Sequence, residues 1–308
     1  MRPRSLSFVV PLVLAVGIFG VMLAPLASAD TLNTADNFAV LAGSTVTNAG
    51  VGVLGATVIT GELGVSPGTA CTGFVTCPVT GPGTTGTVHL ADGVALQAQK
   101  DLTTAYTTLG GLPVPPGNTL TGGILGGLNL EPGVYSAGAA SLTGTLTLND
   151  GGVAGSQFVF LMSALTTSPN SLVDVSKLSP TDSLFWVVGS SAILGVDTAF
   201  EGNILALTDI NFLPGATDLC GRALARNGQV TFAGQGATSK IENQVSIGCS
   251  SILNLSGSNG LNGGTTTGGG GGGGGGNSVP EPGTLLLLGS GFAALGMARM
   301  RRVHARSV

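Results

Sequence analysis

"GNILALTDINFLPGATDLCGRALARNGQVTF" occupies residues 202–232 and states one short pattern twice. "GNILA" opens at Gly202 and "GRALA" at Gly221, 19 residues apart. Each is an apolar strand, followed by a polar corner and a second, alternating strand. One such unit cannot close a core, whereas stacked units can. A period of about 20 residues with short strands and Gly corners therefore reads as a β-solenoid. Upstream, "LFWVVGSSAILGVDTAF" from Leu184, "QFVFLMSALTTSPNSLVDV" from Gln157 and "GVYSAGAASLTGTLTL" from Gly133 follow the same plan at longer spacing, which places insertions at corners.

Alternation assigns the faces. In the second strands Leu142, Leu165, Ile193, Ile210 and Val230 are expected inward. The residues that follow them, Thr143, Thr166, Leu194, Asn211 and Thr231, are expected outward, with Thr145 beside them. Stacked at about 4.7–4.9 Å, they form a flat column of mostly small polar groups. A third side offers Ser171, Thr198 and Thr217, and the N-terminal part offers Thr60; their direction is left open.

Segments 38–48 ("FAVLAGSTVTN") and 56–65 ("ATVITGELGV") alternate in the same way. Between them and the repeats, Val94, Ala98, Leu102, Ala105, Tyr106 and Leu109 recur at helical spacing. The spacing predicts one helix within 89–109, ended by Gly110-Gly111 and packed along one side of the strands. The expected class is all-β with one long helix.

Between residues 30 and 278 stand 5 basic against 14 acidic side chains, a formal charge of −9. Nothing there attracts nucleic acid or an anionic lipid surface. His89 is the one histidine of that span, too little for a histidine metal site or a Ser-His-Asp triad, so neither cofactor nor metal is expected. A polysaccharide lyase would have to use Arg222 and Arg226 with Asp209 and Asp218, and 2 Tyr and 1 Trp supply no evident sugar platform. The chain reads as a non-enzyme. Cys71, Cys77, Cys220 and Cys249 suit disulfides in an exported protein; local pairing joins 71 to 77 and 220 to 249, one of three connectivities.

The ends carry targeting signals. Arg2 and Arg4, an apolar run from Phe8 to Leu26, and Ala27-Ser28-Ala29 make residues 1–29 a secretory signal peptide. The working domain then spans 30–255, followed by a Gly-rich linker, 256–278. Residues 279–308 begin Val-Pro-Glu-Pro, continue as a short apolar run and end in arginines. This tail resembles the PEP-CTERM sorting signal, with Pro280, Glu281 and Pro282 as its motif. The resemblance implies a Gram-negative bacterium, an exosortase-type processing enzyme and a cell-surface or extracellular destination. Membrane contact is expected through the tail alone.

"ADNFAVLAGSTVTN", "VITGELGVSPGTACTGF", "LQAQKDLTTAY", "LEPGVY", "LTGTLTL" and "GNILALTDI…GRALARNGQVT" together resemble the microbial ice-binding proteins, the ice-binding-like domain, from about Leu32 to Gly248. The resemblance implies a right-handed discontinuous β-solenoid of triangular section, one helix alongside, and N-terminal strands packed next to C-terminal rungs. It also implies an ice crystal surface as partner, bound through one flat face rich in Thr. Thr143, Thr145, Thr166, Asn211 and Thr231 are the first candidates, and Thr60, Thr198 and Thr217 the second. The alternative reading is a structural adhesin or biofilm matrix protein binding exopolysaccharide, which the PEP-CTERM resemblance favours.

Overall fold

A computed structural model describes residues 31–49, 57–74, 86–234, 243–247, 249, 255 and 261. All belong to the first of two compact units, Met1–Gly268 and Gly269–Val308. The signal segment 1–29, the linker past Leu261, the sorting motif Pro280–Pro282 and the apolar tail lie outside the described residues. No helix among the described residues is long and apolar enough to cross a membrane.

The fold is mostly β, with parallel pairing and one helix. Its strands fall into three ladders. The first runs Thr119–Leu120, the starts of Gly133–Leu142 and Gln157–Thr167, then Ser183–Val188 and the ends of Ala199–Ala206 and Thr217–Ala225. It continues into Phe38–Ala42, Glu62–Val65 and Val88–Leu90. The second takes the ends of Gly133–Leu142 and Gln157–Thr167, then Ala192–Leu194, Ile210–Phe212, Val230–Phe232, Thr45–Asn48 and Ala70–Thr72. The third takes Asn129–Leu130, Thr145–Asn149, Leu172–Lys177, Ala199, Thr217, Gln244–Ser246 and Val58–Thr60. In all three, N-terminal strands stack on the C-terminal ones, so stacking order departs from chain order.

Alternation fills the interior. Tyr135, Phe160 and Trp186 stack at centroid distances of 5.3 and 4.3 Å, and Phe200 follows at 4.9 Å. The first three rings meet because parallel in-register pairing repeats a position every turn. Gly202 and Gly221 are themselves register partners. Gly202 holds φ +103°, and a Cβ on Gly221 would run into the Gly202 carbonyl. The corner backbones approach too closely for any side chain, which is why both repeats begin with Gly.

The helix is Gly93–Gly110, starting later than the expected 89. Asp92 caps it, its carboxylate accepting from Val94 N (3.0 Å) and Ala95 N (2.9 Å). Those bonds, that of Ala95 first, and His89 hold the Asp92 carboxyl below its ordinary range. His89 Nδ1 bonds to the same carboxylate at 2.7 Å, a local structural contact at the cap. Ala98, Leu102, Ala105 and Leu109 pack on Phe38, Leu41, Val159, Phe185, Leu205 and Leu224 of the first ladder. Val94, expected in that stripe, is 48% exposed; Ala95 takes the inward place.

One corner joins three distant parts of the chain. Arg222 is fully buried. Its Nε and Nη2 donate to the Asp36 carbonyl (2.9 and 2.8 Å), Nη1 donates to Asn203 Oδ1 (2.8 Å), and the guanidinium pairs with the Asp36 carboxylate. Asn203 Nδ2 in turn donates to the carbonyls of Leu184 and Leu261, both at 3.1 Å. Leu261 is buried, so the packed body includes chain beyond residue 255. Cys220 is bonded to Cys249 close by. Cys71 is also disulfide-bonded, and Cys77 lies outside the described residues.

Glu201 and Asp218 are buried at this corner. Glu201 Oε2 and both Asp218 carboxyl oxygens are shielded from solvent. Burial pushes the Glu201 carboxyl up to about 8. Burial and then the charge of Glu201 push Asp218 up as well, against weaker pulls from the Cys220 backbone N–H and from Arg222. Both groups are harder to ionise folded than unfolded. The stabilising contribution of Glu201 is therefore complete below the unfolded carboxylate range and lost as pH rises toward about 8, and that of Asp218 is lost in the same direction. Glu201→Gln removes its share of that loss: its unfolding free energy, measured from acid to pH 8, is expected to fall less steeply than the native protein's, a gap of roughly several kcal/mol at the alkaline end. Parallel curves would show that Glu201 does not titrate in this way.

Candidate functional site

The second ladder presents one continuous outward row. Backbone pairing links Ile124 to Ser141, Ser141 to Thr166, Thr166 to Ile193, and Ile193 to Asn211. It goes on from Asn211 to Thr231, Thr231 to Thr47, and Thr47 to Thr72. Seven steps at strand spacing give a row of roughly 33 Å. The residues on either side of it, such as Leu165, Ala192, Leu194, Ile210, Phe212, Val230 and Phe232, are buried and hold the row from behind.

No member of the row ionises. Five of its eight residues are Thr or Ser, with Ile124, Ile193 and Asn211 as the others. The hydroxyls differ in state. Thr72 donates to Thr47 at 3.2 Å, and Thr45 and Thr47 share a bond at 3.3 Å. The Thr231 hydroxyl is shielded and unpaired. Ser141 and Thr166 are exposed, their hydroxyls bonded to no described residue, and they sit side by side.

The other two ladders are less suited to a flat partner. The helix covers the first. The outward positions of the third run Thr145, Leu172, Ala199, Thr217, Gln244 and Val58, with Asp174 and Lys177 alongside. Leu172 stands 40% exposed while Thr217 is recessed at 6%. Ionised groups also bind their own hydration water tightly. That row is uneven and carries charge.

The candidates from sequence divide accordingly. Thr166, Asn211 and Thr231 lie in the row. Thr143 lies just past it at the corner, its hydroxyl 2.8 Å from Ser168 Oγ, while Thr145 opens the third ladder. Thr60 ends the third ladder, half-buried. Thr198 and Thr217 require correction: they are 1% and 6% exposed, and the Thr198 hydroxyl bonds to Thr167 Oγ1 at 2.8 Å inside the corner. Buried hydroxyls cannot meet an external surface. Ser171 is likewise buried, donating to the Leu142 and Ser168 carbonyls. The direction of the strand at 192–194 also needs correction: Leu194 is buried and Ile193 faces out, one residue out of phase with the expected alternation. Thr45, Thr47 and Thr72 were missed because their partners are remote in sequence, and Ser141 because Thr166 pairs with it and not with Thr143, two residues away from the expected register. The lyase arrangement does not form, since Arg222 and Asp218 are fully buried.

Comparison with known proteins agrees with this geometry. Residues 40–238 match the family model described as ice-binding-like, and residues 278–302 match the PEP-CTERM protein-sorting motif. An ice-binding protein of Nostoc sp. (strain HG1) is 48% identical over 70% of this chain and 75% of its own. The crystal structure of an ice binding protein from an Antarctic biological consortium aligns at 41% identity and TM-score 0.58, covering 70% of this chain and 90% of that one. That of an ice-binding protein from the ascomycete Antarctomyces psychrotrophicus aligns at 34% identity and TM-score 0.58, covering 70% and 96%. These relatives are named as ice-binding proteins and not as enzymes.

Proposed function

The chain belongs to the ice-binding-like family, and on that footing we propose that it is an exported protein that adsorbs to ice through the outward row of its second ladder. Adsorption then inhibits crystal growth or recrystallisation. The observation that carries this reading is the unbroken, uncharged register from Ile124 to Thr72. A lattice partner repeats, and a row of small groups at fixed spacing repeats with it. Buried neighbours on both sides of the row reduce the entropy lost on contact. Water held at the Ser141 and Thr166 hydroxyls, between the methyls of Thr and Ile193, merges with the crystal, and no bond is made or broken.

The body is proposed to be a right-handed solenoid of triangular section, each ladder forming one wall. Residues 1–29 direct export, and an exosortase-type enzyme processes the tail, delivering the domain to the cell surface of a Gram-negative bacterium. Purified protein is expected to show thermal hysteresis, to facet ice crystals and to arrest recrystallisation. Round crystals that grow at the equilibrium melting point, even at high protein concentration, would reject ice adsorption.

A further inference from the structure

We propose a second binding site, distinct from the ice-facing row: a cationic groove beside the helix that takes the carboxylates of an acidic polysaccharide. The domain is strongly acidic, yet Lys100 and Arg226 line one cavity of about 290 Å3, together with Ser66, Leu96, Gln99 and Thr103. Arg226 also borders a second cavity, about 500 Å3, which extends past Tyr106 to Gly111. The concavity therefore follows the helix and suits an elongated occupant.

Neither cation is neutralised. Among the described residues the ion pairs are His89 with Glu62 and Asp92, and Arg222 with Asp36. Arg226 lies 4.7 Å over the Tyr106 ring, and its Nε makes a long bond, 3.4 Å, to Thr103 Oγ1. That stacking fixes the guanidinium plane while its two Nη groups donate to no described residue. A fork held in this way accepts a carboxylate with both nitrogens, and the Lys100 ammonium supplies a second anchor. Exposed Leu96, 46% accessible, matches the CH face of a sugar. An acidic peptide would gain most from a free strand edge. The strand at the groove, Glu62–Val65, is already paired on both sides.

The test titrates the purified protein with polygalacturonate at low salt, with neutral dextran and polyglutamate as parallel arms. Polygalacturonate alone is expected to bind, and added salt to weaken it. Lys100→Glu, an exposed change that spares the fold, is expected to weaken binding by about tenfold or more, with thermal hysteresis unchanged. Arg226→Gln is expected to do the same, its folding checked by circular dichroism. No binding, equal binding by dextran, binding that Lys100→Glu leaves intact, or tighter binding of polyglutamate would each overturn the assignment. Because the readout does not involve ice, this proposal and ice adsorption can fail separately.

Discussion

Arg222→Ala is expected to lower the unfolding free energy by about 3–5 kcal/mol, which for a domain of this size lowers the melting midpoint by roughly 6–20 °C. The guanidinium is buried, and removing it takes away its bonds to the Asp36 carbonyl and carboxylate and to Asn203 Oδ1. The Asp36 carboxylate keeps 16% exposure and recovers some hydration, which favours the lower half of that range. The loss concentrates where N-terminal strands stack on the C-terminal ones. Hydrogen exchange is therefore expected to accelerate first at Phe38–Ala42 and Thr45–Asn48. Uniform acceleration, or a loss no larger than that of exposed substitutions, would show that this contact does not seat the N-terminal segment.

Thr166→Tyr is expected to reduce thermal hysteresis by about tenfold or more with little change in stability. Thr166 is exposed, mid-row, between Ser141 and Ile193. A ring standing out of a flat surface lifts its neighbours from the crystal on both sides, and each 1.4 kcal/mol of lost contact is about tenfold. Gln97→Tyr, on the exposed side of the helix, serves as the control and is expected to retain activity. Equal activity in both would move the contact away from this row.

Much of the fold was legible because residues 202–232 repeat within one turn: Ile210 and Asn211 do align with Val230 and Thr231. The preceding turn misled for a physical reason. Ala192-Ile193-Leu194 is apolar throughout, so composition sets no phase, and a slip by one residue inverts the faces. Register bonds to Leu165 and Thr166 fix it instead. Thr198 and Ser171 sit where the chain turns a corner, and there polar side chains fold inward; Thr217 is recessed within its row. Alternation does not apply at such positions. The contribution of Thr47 and Thr72 could not be read from spacing, because docking of the N-terminal strands depends on distant contacts such as Arg222 with Asp36.

Capture by slowly growing ice compares the second and third ladders directly. Native protein, Thr166→Tyr and Leu172→Tyr would each be frozen partially, and the fraction held in the solid measured. The account predicts that native protein and Leu172→Tyr enter the ice while Thr166→Tyr stays in the liquid. Exclusion of Leu172→Tyr with capture of Thr166→Tyr would contradict it.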